Sequence, residues 1–354
     1  MSGRLGHKWW TPWLFLGPNL IGFFCFTLFP LVASFVLAFY AWDLFGEPRW
    51  VGTANFGHLL GFSVKADPRL SFRAFLVVAG AALVGAAALS RAIHRKSRVT
   101  SLGGGLLVCI GILAALLLRY EPVNPRFWQF MGNTFYLLLA LPLSMAGSLS
   151  MALLLNAKLP LRNLFRLSVF LPSIVSGVGI YLLWKWIFNV DFGLINQVLS
   201  HVGIAGPDWL GSMAWSKNAI IMMSIWATAG GANMILYLAA LQNVDPELYE
   251  AAKIDGAGPW QRFLHITWPM ISPTTAFILI MGIIAGFQGG FDAVYVMTQG
   301  GPAGSTTTLS YFIYESAFRN FAMGRAAAAS WILAIMVFVL TWISWKWISG
   351  KVHY

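Results

Sequence analysis

Long apolar runs, separated by short charged stretches, set the rhythm of this chain. They cover about residues 13–41, 72–90, 101–118, 131–156, 166–188, 218–240, 269–291 and 326–348. Each is long enough to cross about 30 Å of hydrocarbon, for which a helix needs roughly 20 residues. The pattern therefore predicts an all-α polytopic membrane protein with about eight transmembrane helices. The first run follows Arg4 and Lys8 but is far longer than a signal-peptide core and lacks a clear small-residue cleavage site, so it is expected to remain as a span. Trp9, Trp10, Trp13 and Trp42 bracket it as interfacial anchors would.

One polar segment breaks the rhythm between the sixth and seventh runs. Asp245-Pro246-Glu247 supplies an N-cap carboxylate, a proline at the first helical position and an acid where the helix dipole favours one. A helix should start there and stop at Asp255-Gly256-Ala257-Gly258-Pro259. A second short amphipathic stretch, Trp260 to Ile266, then precedes Pro269. Two short helices bent around Gly256 form a docking element and not a span.

Composition sharpens this picture. The chain is 58% hydrophobic and 10% charged, whereas soluble domains are typically about 45–50% apolar and about 25% charged. An ordinary soluble domain is excluded. The net charge of +11 invites a nucleic-acid partner, but the basic residues are scattered over short loops and form no soluble basic face. They instead set an orientation. With the amino terminus inside, the 91–98 turn and Lys158, Arg162 and Arg166 place the basic excess on the cytoplasmic side, together with both termini and the 245–269 loop. Cys25 and Cys109 fall inside runs as packing residues, the six histidines are isolated, and no phosphate-binding loop precedes the Gly350-Lys351 pair. If ATP is used, another chain binds it.

The polar segment also carries a family likeness. Glu250-Ala251-Ala252, Gly256 and the closing Ile266-Thr267-Trp268-Pro269 resemble the EAA loop in membrane subunits of type I ABC importers, with Trp268 where that family usually has leucine. Leu238-Ala-Ala-Leu-Gln and Lys253-Ile-Asp-Gly-Ala-Gly narrow the resemblance to carbohydrate permeases similar to the maltose and glycerol-phosphate systems. Asn133-Thr134, the segments 184–189 and 192–196, Gly300-Gly301-Pro302 and Ser305-Thr306 are similar as well. Residues 60–124 fall outside the likeness and read as an inserted hairpin. It separates residues 1–59, which hold a cytoplasmic tail, the first helix and an external loop, from the permease core at 125–354.

The resemblance implies a transport subunit, not an enzyme, in the plasma membrane of a bacterium or archaeon. It implies half of a carbohydrate pathway, shared with a second permease subunit and served by an ABC ATPase dimer and an extracytoplasmic solute-binding protein. ATP and Mg would be used by the ATPase, with no cofactor on this chain. The ATPase-coupling set would be Glu247, Glu250, Ala251, Ala252, Asp255, Gly256, Ile266 and Pro269. Glu250 suits charge-assisted hydrogen bonds, the alanines allow close approach and Gly256 allows the bend. Asp292, Gly300, Gly301 and Pro302 match the loop that faces the binding protein, although simple loop termination accounts for them equally.

Intramembrane polar and aromatic residues supply substrate candidates. Asn233 and Tyr237 lie four residues apart on one helix face, Gln288 lies in the next run, and Trp226 offers a surface for a sugar ring. Hydrogen bonding between helices is the competing explanation for the polar three. Gly282, Gly286 and Gly290 form a stripe that permits either a sliding contact with the second permease or packing within this chain. Lys185 is expected to snorkel to the headgroups. An ion-coupled secondary transporter, the main alternative, would need acids within the membrane. Asp43, Glu47, Asp191 and Asp292 instead map near outer boundaries, and a membrane-embedded enzyme has no catalytic constellation to use.

Overall fold

The computed structural model describes residues 11–64, 80, 120–157, 160–175 and 177–349. The apolar runs at 72–90 and 101–118 lie outside them apart from Gly80, as do the 91–98 turn, Lys158 and Cys109. In chain order the described elements begin with α1 (Thr11–Phe23), α2 (Phe29–Leu37), β1 (Tyr40–Ala41), β2 (Arg49–Trp50), α3 (Ala54–Leu60), β3 (Phe62–Val64) and β4 (Tyr120–Pro122). Next come α4 (Pro125–Leu138), α5 (Ala140–Asn156), α6 (Arg162–Phe170), α7 (Gly177–Ile187), α8 (Leu194–His201), α9 (Ser216–Ala229) and α10 (Ala232–Gln242). The series ends with α11 (Pro246–Ile254), α12 (Pro259–Arg262), α13 (Trp268–Met297), α14 (Leu309–Tyr314) and α15 (Met323–Ser349).

Two compact units contain these elements: Met1–Asn55 with Gln129–Tyr354, and Phe56–Trp128. In the smaller unit, β3 and β4 pair antiparallel with Ser63 opposite Glu121, and the Phe62 and Trp128 rings lie 5.1 Å apart.

Among the described residues, four helical segments are long and apolar enough to cross a membrane: Phe15–Leu37, Pro125–Asn156, Pro259–Gln288 and Met323–Lys346. Two bent pairs, Asn163–Ile174 with Gly177–Ile187 and Ser216–Ala229 with Ala232–Gln242, raise the number to as many as six. The fifth and sixth apolar runs, continuous in the sequence, are thus each broken. Pro172 sits in a 3₁₀ turn, Leu171–Ile174, where its missing N–H interrupts the α-helical ladder. The second break, of 43°, falls at Gly230-Gly231. A Cβ on Gly230 would stand 2.2 Å from the Val169 carbonyl oxygen, so another backbone occupies the space of a side chain.

A different device keeps two helices continuous. Phe24–Leu28 and Phe263–Thr267 are π-turns, and each is followed one residue later by a proline, Pro30 or Pro269. Proline lacks the N–H that would bond four residues back, and its ring crowds that carbonyl. Widening the turn by one residue relieves both problems without ending the helix. The second amphipathic stretch, expected as a separate short helix before Pro269, therefore runs straight into the next span.

One buried cluster joins Met145, Leu149, Ala152 and Leu155 of α5 to Met234, Tyr237, Leu238 and Leu241 of α10, with Ile271 and Ile278 of α13. A second gathers Ile180, Phe188, Trp209, Ala219, Ile220, Met223, Ala293, Val294, Met297 and Tyr311. Beside the second cluster, the loop after α13 is fastened to the second half of α4 and the start of α9. Asn133 Nδ2 donates to the carbonyls of Gly304 at 2.9 Å and Thr307 at 3.0 Å, the Leu309 N–H donates to Thr134 Oγ1 at 2.9 Å, and the hydroxyls of Ser216 and Ser305 are 2.9 Å apart.

Gly300 is integral to this fastening. Its φ is +80°, and an added Cβ would stand 2.6 Å from Thr307 Oγ1 and 2.9 Å from the Tyr311 ring. Gly300→Val is expected to destabilise the fold by about 1–3 kcal/mol from backbone strain alone. A lowered thermal-unfolding midpoint in detergent would register this, and an unchanged midpoint would show that the loop relaxes freely.

Candidate coupling loop and translocation cavity

The 245–269 loop is a hinged pair of helical arms. Asp245 Oδ1 accepts from the Glu247 N–H at 2.9 Å, capping α11 as its sequence predicts. At the far end Gly256 has a φ of +78°, the left-handed conformation that glycine adopts without a Cβ penalty. The Ala257 N–H donates to the Ala252 carbonyl at 2.9 Å, tying off the last turn. The Gly258 N–H then donates to Gln261 Oε1 at 2.8 Å as α12 begins. A brace missed by the sequence reading joins the arms: the hydroxyls of Tyr249 and Thr267 are 2.9 Å apart, with Thr267 buried.

Between the arms lies a cleft of about 420 Å³. Ala252, Asp255, Gly256 and Ile266 line it, so four of the eight expected coupling residues come together there, joined by Arg262 and His265. Glu247, Glu250, Ala251 and Pro269 are exposed outside it. Among the described residues the ion pair is Arg319 with Glu315, and Glu250 forms none there. Ile254 and Trp260 are 87% and 68% exposed, a large apolar surface on a polar loop.

A second cavity, of about 430 Å³, lies among α4, α5, α7, α9, α10 and α13. Asn233 lines it with Tyr181, Ser224 and Thr228. Ser144 also lines it and shares a hydroxyl contact with Thr228. The glycine stripe forms one wall. A Cβ on Gly282 would come within 2.3 Å of Leu141 Cδ1, and one on Gly286 within 2.7 Å of Leu138 Cδ1, so the stripe packs against this chain's own helices.

The other substrate candidates do not line this cavity. Tyr237 is buried in the α5, α10 and α13 cluster. Trp226 is 45% exposed and meets Trp184 edge to face, with centroids 5.5 Å apart. Gln288 is exposed on α13. Asp292 is exposed near the end of the same helix, whereas Gly300 is buried and Gly301 and Pro302 are half-buried in the fastened loop.

Residues 108–345 match the family described as binding-protein-dependent transport system inner membrane component. The chain belongs to this family. It is 30% identical over 350 residues to the probable ABC transporter permease protein YesP of Bacillus subtilis (strain 168), covering 96% of this chain and 91% of the relative. Identity is 41% over 227 residues to the lactose transport system permease protein LacF of Rhizobium radiobacter, covering 62% of this chain and 75% of the relative. The arabinooligosaccharides transport system permease protein AraP of Bacillus subtilis (strain 168) is 28% identical over 344 residues, 96% of this chain and 89% of that one. In fold the chain matches the crystal structure of a bacterial ABC transporter involved in the import of the acidic polysaccharide alginate, with a TM-score of 0.69 at 22% identity, covering 97% of this chain and 96% of that one.

In this inner membrane component, sequence reasoning overlooked Ser144, Tyr181, Ser224 and Thr228. The spacing of Ser224 and Thr228 was a usable signal, because residues four apart share a helix face. Hydroxyl residues can bond their own helix backbone, as Ser224 does to Ile220 and Thr228 to Ser224, and so do not by themselves mark a pathway.

Proposed function

We propose that this permease forms half of the translocation pathway of an ATP-driven, binding-protein-dependent carbohydrate importer, with residues 245–269 as its energy-coupling element. One observation carries the reading: the helix that begins at Pro259 lines the coupling cleft with Gln261 and Arg262 and continues through the π-turn and α13 to the glycine wall of the cavity. A push on the loop is thereby delivered to the pathway as tilt of a single rigid element. Relatives named for lactose and arabinooligosaccharide transport support a saccharide substrate.

In this reading an ATPase dimer, using ATP and Mg, grips Glu250 and the exposed Ile254 and Trp260 and enters the cleft. A second permease supplies the other half of the pathway, and an extracytoplasmic solute-binding protein delivers sugar at the end remote from the loop. Both termini and the loop lie in the cytoplasm, and the chain catalyses no covalent chemistry. Asn233 faces the passing sugar within this chain, while Gln288 and Trp226 serve on surfaces turned toward lipid or the second permease.

Mass spectrometry of the complex pulled down through this chain from its native membrane in mild detergent is the test. Recovery of a second permease and an ABC ATPase is expected. Recovery of this chain alone, under conditions that hold a known ABC importer together, would favour an independent transporter.

A further inference from the structure

Lys217 stands one turn beyond the cavity lining, at the end remote from the coupling loop. On α9, Ile220, Ser224 and Thr228 line the cavity. Lys217 precedes Ser224 by seven residues and so lies within roughly 20° of the same azimuth. On α4, Asn133 and Tyr136 stand just before the lining residues Leu137 and Leu138. These elements meet at Lys217, whose ammonium donates to Asn133 Oδ1 at 3.3 Å and lies 4.9 Å from the Tyr136 ring centroid. The Asn133 amide is fixed by its two bonds to the carbonyls of Gly304 and Thr307, and the Tyr136 hydroxyl by a 2.7 Å bond to Asn218 Oδ1.

A lysine that merely snorkels uses its flexible stem to reach the headgroups. Here a fixed amide and an aromatic face hold a half-buried ammonium between two helices. It has three N–H donors, of which one is engaged by Asn133. No carboxylate among the described residues forms an ion pair with it, Asp292 included. With no carboxylate beside it among the described residues, this partly shielded ammonium can give its remaining N–H groups to a visiting anion in charge-assisted bonds.

We infer that Lys217, held by Asn133 and Tyr136, is an anion-binding point at the mouth of the cavity, and that it receives the carboxylate, sulfate or phosphate of an acidic saccharide. The inference rests on the importer reading and narrows its substrate class. Lys217 orients the charged end of the sugar, leaving the hydroxyls for Ser224, Thr228 and Asn233 farther in.

The test uses the complete importer, with both permeases, ATPase and binding protein, in proteoliposomes. The probes are an oligogalacturonide, glucose 6-sulfate, glucose 6-phosphate and a neutral oligogalactoside. ATP-driven uptake of at least one acidic probe is expected. Lys217→Met should raise the KM for that probe about tenfold, the loss of one charge-assisted bond of about 1.4 kcal/mol, with assembly intact by size-exclusion chromatography and Lys217→Arg restoring most of the affinity. The shift should be equal in vesicles of phosphatidylcholine and in vesicles containing phosphatidylglycerol. A defect confined to the anionic vesicles would reassign Lys217 to a lipid headgroup and overturn the inference. Uptake of the neutral probe alone, uptake of none, or a lowered kcat with unchanged KM would overturn it as well. If binding protein also failed to stimulate ATP hydrolysis, the importer reading would fall with it.

Discussion

Gly256→Trp is expected to leave membrane insertion intact and to abolish stable attachment of the ATPase, and with it ATP-driven uptake. Gly256 lines the coupling cleft, and its φ of +78° is accompanied by open space around a built Cβ. The variant therefore meets no internal clash, although the left-handed conformation adds about 1–2 kcal/mol of local strain. Its indole instead fills the approach to Ala252 and Ile266. A loss of about 3 kcal/mol of docking energy corresponds to more than about 100-fold in affinity. Gly256→Asn, which tolerates the same backbone conformation, separates bulk from strain and should retain most activity. Co-purification of the ATPase and uptake into proteoliposomes report the result; normal values for the tryptophan variant would remove the cleft from the coupling mechanism.

Gly286→Phe should produce the opposite dissociation. The ATPase would stay attached and responsive to the binding protein, while sugar uptake would fall sharply because the ring occupies the cavity; the overpacking itself would lower fold stability by about 1–3 kcal/mol. Gly286 faces the cavity from α13, and a Cβ there already approaches Leu138 Cδ1 to 2.7 Å. A benzyl group must enter the space of about 430 Å³ or push the wall apart. Gly286→Ala needs only a leucine rotamer change and should lose far less. Uptake at the native rate through Gly286→Phe would place the sugar path elsewhere, with the exposed face bearing Gln288 as the next region to probe.

Gly256 lies in the turn just before the helix that begins at Pro259 and Gly286 lies within that helix, whose continuity through Pro269 was the least legible feature of the chain. Pro269 reads as a helix boundary because proline usually begins a helix or breaks one. The π-turn Phe263–Thr267 absorbs the misfit, and no pattern in the flanking residues announces it. The break at Gly230-Gly231 was hidden for the converse reason. Glycine is tolerated inside membrane helices, so its presence alone does not distinguish a bend from a close contact. Here it provides both, against the Val169 backbone.

Candidate pathway residues were separable only by packing. Asn233 and Tyr237 share a helix face, yet the first lines the cavity and the second is sealed between α5 and α13. In a soluble protein the apolar stripe marks the buried face, but lipid accepts apolar side chains as readily as a protein core does, so a membrane helix carries little record of its azimuth. The same ambiguity applies to the Gly282, Gly286 and Gly290 stripe, whose first two glycines face Leu141 and Leu138 of this chain and whose third faces Thr308.

The polytopic helical class, the 245–269 loop with its Asp245 cap and Gly256 turn, and the family likeness were all written in short-range chemistry: apolar runs as long as a bilayer is thick, a capping carboxylate and a glycine free to turn left-handed. Three-dimensional packing decided which polar groups meet. It set Tyr249 against Thr267, Ser144 against Thr228 and Lys217 against Asn133, pairs separated by 18 to 84 residues. Contacts over such distances depend on helix rotation and crossing, which local residue preferences leave free.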